Sequence, residues 1–499
     1  MTGRLSSTAT GRPRRSHRYQ LVVVGAGFGG IGMAAALRAS EVVDDNFLLV
    51  DAGSDIGGVW RDNTYPGCSC DVPAHLYSYS HSPYRDATVR YPGQAATLDY
   101  LRGVAEANSL APVLRLNTAI SAATYHEPGY WDLTTASGEA ISTDIVVFAV
   151  GQLHRPKLPD IPGRESFAGP AFHTARWDHR VDLTDRDVTV IGTGSSAAQI
   201  LPHVAERAER VRLYQRNPHW VMPKPGDDFG PMSQAALRIP GAHALYRCAL
   251  DLAADVVLAP IMRRGWSAVP AERMARRYLR RTITDPRLRQ QLTPDYPIGG
   301  KRIILDSRYY PTLNRENVEL VTEPITAITP TGVATTDRHR RAEVIIYATG
   351  FHATDFLAPI TVRGRDGRVL AHQWRSGPTA FLGTLIEGYP NLFLLAGPNT
   401  FSPAHSNPAM KEHQIDYIIQ ALRWRREIGA QAIEVDVEVA EDYQRRLDHA
   451  LSTTVWTATP SWFTHSSGRL TNPWPSSRRA FAHALRTPWR HLRPIPTTG

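Results

Sequence analysis

The first residues whose spacing suggests chemistry are three glycines at the end of a short apolar run. Residues 19–24 read YQLVVV, which predicts a buried parallel strand, and Gly25, Gly27 and Gly30 follow it as G-x-G-x-x-G. Glycine here permits a tight turn and close approach to a pyrophosphate, while the helix predicted next offers free N–H groups to its oxygens. Asp51 ends the next predicted strand, about twenty residues on, where a carboxylate can accept from a ribose hydroxyl. Together these features predict a dinucleotide site.

A second copy of this pattern begins after a strand predicted from Val188. It reads G-x-G-x-x-A, with its special positions at Gly192, Gly194 and Ala197, and Ser195 opens the predicted helix. The following strand is succeeded by Arg216 rather than by an acid. An arginine there suits the 2′-phosphate of NADP, although an ordinary surface charge is the alternative. We therefore assign the first site to FAD and the second to NADPH.

Two further segments share a pattern. Each begins with an acidic residue, continues as an apolar predicted strand and leaves that strand through small residues that end in glycine. They are residues 144–151 (DIVVFAVG) and 343–350 (EVIIYATG). Each could close a nucleotide-binding domain, although two unrelated buried strands would look the same. A chain of 499 residues is too long for one core, so we expect an α/β fold with two nested Rossmann-type dinucleotide-binding domains and a helical insertion.

The predicted boundaries follow from these motifs and from the proline-rich breaks between them. They are 1–18, a disordered basic tail; 19–155, the first part of the FAD-binding domain; 156–222, the first part of the NADP-binding domain; 223–298, the helical insertion; 299–344, the return to the NADP-binding domain; and 345–499, the second part of the FAD-binding domain.

The formal net charge is +9, and much of the excess lies at the two ends of the chain. The N-terminal arginines are Arg4, Arg12, Arg14, Arg15 and Arg18. Such ends could bind nucleic acid or a membrane, but neither interleaved aromatic residues nor a nucleic-acid-binding motif accompanies them. We expect a solvated tail and no nucleic-acid partner.

The three cysteines are too few and too unevenly spaced for a disulfide scaffold or a four-ligand zinc site. Cys68 and Cys70 are separated by one residue, and Cys248 stands alone. This spacing also disfavours a disulfide reductase, and we expect no metal. The first residues are polar and basic, and glycines interrupt the longest apolar run, residues 21–37. We expect a cytoplasmic protein without a transmembrane segment.

The segment between the two glycine motifs carries a more specific pattern. Residues 167–178 read FAGPAFHTARWD. This matches F-x-G-x-x-x-H-x-x-x-W-D at Phe167, Gly169, His173, Trp177 and Asp178. The chain thereby resembles the Baeyer–Villiger monooxygenases, which keep this fingerprint between their two dinucleotide motifs, and the resemblance extends over roughly residues 19–484. In that family the fingerprint lies at a domain junction, so His173 is expected to couple NADPH placement to the flavin rather than to act as a base.

The resemblance also implies which residues line the flavin. Residues 57–71 (GGVWRDNTYPGCSCD) are similar to the family's G-G-x-W…Y-P-G-x-x-x-D segment, which lies along the cofactor. It differs after the tryptophan, where many members have a further aromatic residue and Asn-Arg. Residues 388–400 (GYPNLFLLAGPNT) resemble the family's return to the flavin pyrimidine. The flavin contacts implied are Gly58, Trp60, Tyr65, Asp71 and Asn399.

The catalytic pair implied by the resemblance is Arg302, from a G-x-K-R segment, and Asp71. Lys301 would help Arg216 to hold the 2′-phosphate of NADP. A permanent cation fits the chemistry, because attack on a ketone by a flavin peroxide generates oxyanions in a water-poor pocket. Asp71 would orient the guanidinium and balance its charge. A purely structural salt bridge between two domains is the alternative.

The sequence therefore predicts an FAD- and NADPH-dependent Baeyer–Villiger monooxygenase. Such an enzyme inserts one oxygen atom from O2 next to the carbonyl of a small-molecule ketone or aldehyde, through a flavin peroxide, and gives an ester or a lactone. One alternative is a flavin monooxygenase that oxygenates nitrogen or sulfur. The other is a flavoprotein redox sensor that oxygenates nothing.

Overall fold

The computed structural model describes residues 18–85, 88–127, 129–226 and 228–495. The N-terminal arginines Arg4, Arg12, Arg14 and Arg15, and with them almost all of the predicted basic tail, lie outside these residues. The strands are β1 (Tyr19–Val24), β2 (Phe47–Val50), β3 (Leu114–Arg115), β4 (Ile120–His126), β5 (Tyr130–Thr135), β6 (Ala140–Phe148), β7 (Ala171–His173), β8 (Asp187–Ile191), β9 (Arg210–Tyr214), β10 (Val221–Met222), β11 (Ile304–Leu305), β12 (Val318–Val321), β13 (Ile325–Thr329), β14 (Gly332–Thr335), β15 (His339–Arg341), β16 (Val344–Tyr347), β17 (Thr361–Arg363), β18 (Leu392–Leu394), β19 (Ala432–Val435) and β20 (Leu492–Ile495).

The α-helices are α1 (Phe28–Ser40), α2 (Val59–Asp62), α3 (Gln94–Ala107), α4 (Ser195–Ala205), α5 (Pro231–Leu237), α6 (Ala242–Ala253), α7 (Ala268–Thr282), α8 (Pro286–Gln291), α9 (Tyr309–Leu313), α10 (Leu370–Gln373), α11 (Asn407–Glu427), α12 (Val437–Ser452) and α13 (Arg478–Ala484). The sequence predicts strands at residues 19–24, 46–50 and 210–214 and helices at residues 195–208 and about 411–426. β1 and β9 have these limits, β2 begins one residue later, α4 ends three residues earlier and α11 begins four residues earlier, differences typical of helix and strand ends.

The first sheet has eight strands and draws on both halves of the chain. Its order is β17-β4-β5-β6-β1-β2-β3, and β18 also pairs with β6. β1 runs parallel to both β2 and β6, so the turn after Val24 lies at the carboxyl edge in the middle of the sheet. The apolar, β-branched sequence of β1 forms this central strand because it is covered on both faces, and Leu21, Val22 and Val23 are fully buried.

The second sheet has five parallel strands in the order β12-β9-β8-β16-β7. The repeated strands β6 and β16 occupy equivalent places, each beside the strand that leads into a glycine turn. A Cβ on Gly25 would lie 2.7 Å from the carbonyl oxygen of Ala149, and one on Gly192 would lie 2.4 Å from that of Ala348. In both sheets the exit of the repeated strand therefore packs against the first glycine of the turn. The predicted fold class is confirmed.

A helical segment, α5 to α8, connects β10 to β11. The apolar run of residues 249–262 is short for a membrane span and carries Asp251 and Asp255, so the sequence predicts a buried or partly buried helix there. The run is helical, but it is not one α-helix. α6 passes into a π-helical turn, Ala254–Leu258, and then into a 3₁₀ turn, Ala259–Arg263. Several of its apolar side chains face solvent, among them Leu252 and Val256. Within the described ranges, none of the helices combines the length and the apolar character that a membrane span requires.

Candidate functional site

The first glycine turn has the geometry of a phosphate cradle. Gly25 has φ +106°, a conformation that side chains disfavour, and a Cβ on Gly30 would lie 1.7 Å from the carbonyl oxygen of Gly25. Helix α1 begins at Phe28, and its N-cap residue, Gly27, has no side chain that could bind the first N–H groups of the helix. The first N–H groups of the helix are therefore available to an anion.

Asp51 lies beside this turn and is 8% exposed. One carboxylate oxygen accepts from the backbone N–H of Ala26 at 2.7 Å, and the other accepts from that of Gly53 at 2.7 Å. Arg61 also donates to Asp51 at 2.7 Å. The sequence predicted a ribose acceptor here, and the structure adds that the same carboxylate fixes the turn. Arg61 was not predicted as its partner.

The second turn repeats this arrangement. Gly192 has φ +113°. Gly194 is the N-cap residue of α4 and, as a glycine, has no side chain to cap the helix, while Ala197 is fully buried in the first turn of α4. Ser195 is the first residue of α4. The turn thus offers a second open helix N-terminus, at the carboxyl end of β8.

Two cations lie near this second turn, as the sequence predicted. Arg216 is exposed two residues after the end of β9. Burial and the charge of Arg216 lower the pKa of Lys301, although Asp295 partly opposes this. The ammonium of Lys301 stands 4.8 Å from the ring centroid of Tyr296. The charge of Arg216 thus acts on Lys301, and their joint contact with a 2′-phosphate stays a prediction.

The loop that carries the predicted flavin contacts joins the two halves of the molecule. The hydroxyl of Tyr65 donates to Oε1 of Gln199 at 2.9 Å, and Nε2 of Gln199 donates to the carbonyl of Ser69 at 2.9 Å. A Cβ on Gly67 would lie 2.6 Å from the carbonyl oxygen of Gln199. The sequence predicted Tyr65 as a flavin contact, and the structure places its hydroxyl on α4, beside the second glycine turn.

The start of the same loop packs against the first turn. Gly58 has φ +54°, and a Cβ there would lie 3.2 Å from the Cα of Gly27. Trp60 is 7% exposed, and its indole N–H donates to the hydroxyl of Tyr77 at 3.3 Å. Gly58 therefore packs directly against the first glycine turn, and Trp60 is buried two residues later in the same loop. Their contact with the flavin stays a prediction.

Arg302 and Asp71 form a bidentate ion pair. Nη2 of Arg302 donates to both carboxylate oxygens at 2.6 Å, and Nε donates to Oδ2 at 3.1 Å. Their side chains are 26% and 21% exposed. Burial alone would lower the pKa of Arg302, but the charge and hydrogen bonds of Asp71 outweigh it, so the pKa of Arg302 is raised. The guanidinium also lies 5.4 Å from the ring centroid of Phe401.

The five fingerprint residues lie in and around β7, the edge strand of the second sheet. A Cβ on Gly169 would lie 2.4 Å from the carbonyl oxygen of Glu343, and Trp177 packs edge-on against Phe172 at 5.1 Å between ring centroids. Phe167 packs against a neighbouring apolar cluster. Asp178 accepts from Arg180 at 2.8 Å, and these hydrogen bonds lower the pKa of Asp178 to about 2.

His173 is the buried member of the fingerprint, with 4% exposure. It ends β7 opposite Tyr347 of β16, and its Nδ1 accepts from the backbone N–H of Ala175 at 3.0 Å. Burial lowers the pKa of His173 to about 4. His173 is therefore neutral at pH 7 and held against the backbone by this contact. Its expected part in coupling NADPH placement to the flavin stays a prediction.

Asn399 lies in the predicted flavin return. Its side-chain amide donates to the carbonyl oxygens of Leu470 and Pro473 at 3.0 and 3.1 Å. Its backbone N–H donates to the carbonyl oxygen of Thr471 at 2.8 Å. The residue therefore ties the C-terminal segment to this loop. Its predicted flavin contact would have to use its remaining oxygen or its backbone carbonyl.

The sequence reasoning missed a buried polar cluster next to this loop. Nδ1 of His405 lies 2.7 Å from the hydroxyl of Ser402, and Nε2 lies 2.8 Å from Oδ1 of Asp255 in the π-helical turn. The same oxygen accepts from the backbone N–H of Arg478 at 3.2 Å. The three segments are distant in sequence, and no spacing pattern joins them.

Lys411 was also missed. Its Cδ lies 3.7 Å from the position that a Cβ on Gly29 would take, behind the first glycine turn. Burial lowers the pKa of Lys411 to about 8. A signal existed, because a lysine in the first turns of an otherwise covered helix is unusual.

The cysteines do not form a redox pair. Cys68, Cys70 and Cys248 are free thiols, and burial raises the pKa of Cys68 to about 11 and that of Cys70 further. Both loop thiols therefore stay protonated at neutral pH. The described ranges contain no group of three His, Cys, Asp or Glu side chains that could hold a metal ion.

The chain has clear relatives among known proteins. Residues 22–229 match the family model described as pyridine nucleotide-disulphide oxidoreductase. A Baeyer–Villiger monooxygenase of Streptomyces coelicolor is 37% identical over 96% of this chain and 93% of its own length. One of Pseudomonas aeruginosa is 37% identical over 93% of this chain and 89% of its own length. The crystal structure of OTEMO in complex with FAD and NADP aligns with a TM-score of 0.86 at 27% identity, over 96% of this chain and 100% of that one.

Proposed function

The chain belongs to the Baeyer–Villiger monooxygenase family, and from this premise we propose that it uses FAD and NADPH to insert one oxygen atom from O2 next to the carbonyl of a small-molecule ketone or aldehyde. The product is an ester or a lactone. The observation that carries this proposal is the Arg302–Asp71 ion pair, which joins the loop proposed to contact the flavin to the segment of Lys301, proposed to bind NADP. Such a pair supplies a fixed cation where the two cofactors would meet.

The residues around the first turn fit FAD. The left-handed backbone at Gly25, the close approach of Gly27 to Gly58 and the open N-terminus of α1 leave room and donors for a pyrophosphate. The residues proposed to hold FAD are Gly25, Gly27, Gly30, Asp51, Gly58, Trp60, Tyr65, Asp71 and Asn399. We also propose the domain boundaries given by the sequence, with the FAD-binding domain split into 19–155 and 345–499 around the NADP-binding domain.

The residues around the second turn fit NADPH. Gly192 and the N-terminus of α4 would receive the pyrophosphate, and the adjacent cations at Arg216 and Lys301 would receive the 2′-phosphate. The residues proposed to hold NADPH are Gly192, Gly194, Ser195, Ala197, Arg216 and Lys301. When bound, NADPH supplies the hydride and FAD supplies the activation of oxygen.

Arg302 contributes a positive charge with one free donor edge. Asp71 accepts from Nε and Nη2 of Arg302, and in the described part of the chain no acceptor lies within hydrogen-bond distance of Nη1. Nη1 can therefore donate to the oxygen on which negative charge develops during attack on the carbonyl. A donor held in place before the reaction needs no reorganisation, and this makes such groups effective.

Asp71 positions that donor. The bidentate contact fixes the plane of the guanidinium, and its negative charge keeps the half-buried cation from being isolated. Phe401, which is buried, lies with its ring centroid 5.4 Å from the guanidinium of Arg302 and limits the access of water on that side. A dry surrounding strengthens the interaction between Arg302 and the developing charge.

The proposed reaction is tested with ¹⁸O2 and a panel of ketones, amines and sulfides. We expect an ester or lactone that carries one labelled oxygen, formed with consumption of NADPH. Products confined to amine or sulfide oxides would instead establish heteroatom oxygenation, and NADPH oxidation without any oxygenated product would establish a redox function. We also propose a cytoplasmic location, which the three free thiols support.

A further inference from the structure

The helical insertion exposes an unusual number of apolar side chains. Among the large hydrophobic side chains that are exposed in the described part of the chain, all but Leu158, Ile428 and Trp489 lie between residues 232 and 274. They are Met232, Ile239, Leu245, Leu252, Val256, Val257, Leu258, Trp266, Val269 and Met274. Apolar side chains scattered singly over a surface need no explanation, but a concentration in one segment marks an interaction site.

The clearest part of this surface is one face of α6 and its π-helical continuation. Leu245, Leu252 and Val256 follow one another at helical spacing and are 73%, 46% and 49% exposed. The opposite face of α6 is occupied: Arg247 donates to the carbonyl of His75 at 2.9 Å, and Tyr246 packs edge-on against Phe229. The apolar face is thus directed outward by contacts that hold the other face.

Arginines accompany the apolar residues on α7. Val269 and Met274 are 55% and 46% exposed, and Arg273, Arg277 and Arg281 are exposed on the same side of the helix at intervals of four residues. The outer face of α7 therefore alternates apolar and cationic groups.

The acids between residues 231 and 282, which span α5 to α7, do not neutralise these arginines. Residues 231–282 contain Asp251, Asp255 and Glu272 as their only acids. Each has an internal partner: Asp251 pairs with Arg478 at 3.2 Å, Asp255 with His405 at 2.8 Å and Glu272 with Arg276 at 2.9 Å. The exposed side chains of α6 and α7 are consequently apolar and cationic.

We propose that the outer face of α6 and α7 is a docking surface for an anionic phospholipid membrane. A helix that presents apolar residues beside arginines buries the former at the headgroup boundary and attracts acidic headgroups with the latter. A second copy of the chain fits less well, because a two-fold contact would place arginine against arginine with no free acid between them. The phosphates of a nucleic acid could pair with the arginines, but the apolar side chains on the outer face of α6 would remain exposed to water.

The test is sedimentation of the purified, FAD-loaded full chain with vesicles. One set contains phosphatidylglycerol and phosphatidylcholine, and the other contains phosphatidylcholine alone. We expect binding to the first set that weakens as salt is raised. The double substitution Leu245→Ser with Leu252→Ser should lower the partition coefficient at least tenfold, and Arg273→Gln or Arg277→Gln should each lower it about fivefold.

Ile428→Ser provides the matched control, since Ile428 is 44% exposed just after α11, outside the insertion. It should leave vesicle binding unchanged, and all variants should keep their melting temperature and FAD content. The proposal is overturned if the protein does not bind anionic vesicles. It is also overturned if binding depends neither on lipid charge nor on the leucine substitutions. So does a dimer, seen by light scattering, that the leucine substitutions dissociate while vesicle binding is absent, because the face would then bind a second copy.

Discussion

Arg302 donates three hydrogen bonds to Asp71, although 231 positions separate the two residues in the chain. The pair connects a loop that leaves the first sheet with a segment that leads back into the second. Neither partner can move without the other, so the cation is held in one orientation before any substrate arrives. This relationship gives the first prediction its direction.

Arg302→Ala should lower kcat for ester or lactone formation by about 10²–10³, the usual effect of removing one donor to a developing oxyanion. Arg302→Lys should recover part of the rate, because it keeps the charge but not the bidentate geometry. FAD content and the melting temperature should be measured for both. A variant that keeps its FAD and full kcat would show that the pair is only a structural salt bridge.

Substitutions of the two glycines in the second turn should separate an effect on stability from an effect on NADPH binding. Gly192→Ala should lower the melting temperature and weaken NADPH binding, because φ is +113° and a Cβ would lie 2.4 Å from the carbonyl oxygen of Ala348. Gly194→Ala has nothing within 4 Å of the new Cβ, so it should leave the melting temperature within about 1 °C while raising the KM for NADPH, because the methyl would occupy the place of the pyrophosphate. Equal effects of the two substitutions on both quantities would contradict the assignment of this turn to NADPH.

Much of this site could be predicted because its signals are local. The glycine turns, Asp51 and the fingerprint follow from short-range spacing, since backbone strain and close packing require particular residues at particular offsets. The hydroxyl of Tyr65 on Gln199 and the contact between His405 and Asp255 depend on how distant segments pack. Nothing in their local sequence indicates the partner.

The outward direction of α6 was unpredictable for the same reason. The apolar run of residues 249–262 predicts a buried or partly buried helix but not which of its faces is covered. Contacts of Arg247 and Tyr246 with residues in the first half of the chain decide which face turns inward. Hydrophobic periodicity identifies a face and does not identify what covers it.

Lys301 should make NADPH binding dependent on pH. Its pKa lies below the ordinary value of 10.5, because burial and Arg216 disfavour its charge. The protonated form binds the 2′-phosphate, so the KM for NADPH should rise as pH increases through this lowered pKa, at a pH where an ordinary lysine would still be charged. Lys301→Arg should abolish this rise.

Arg216→Ala should raise the KM for NADPH at least tenfold and change the KM for NADH little. An equal rise in KM for both coenzymes would show that Arg216 does not bind the 2′-phosphate.

His173 should destabilise the protein as pH falls from about 6.5 towards 4. The unfolded chain takes up a proton near the ordinary pKa of 6.5, whereas burial lowers the pKa of His173 in the folded state to about 4. The unfolded state therefore binds more protons throughout this interval, and a contribution on the order of 2–3 kcal/mol to the free energy of unfolding, complete above pH 6.5, is lost progressively below it.

His173→Asn isolates this contribution from those of the other buried histidines. The asparagine oxygen can accept from the N–H of Ala175 in place of Nδ1, which accepts at 3.0 Å, but it does not titrate. Denaturant unfolding at pH 7.5 and 4.5 should show a smaller loss of stability for this variant than for the unsubstituted protein. If the two lose the same amount of stability, the imidazole of His173 either becomes protonated without unfolding or is not buried in solution, and it would then be free to exchange protons at the edge of the second sheet.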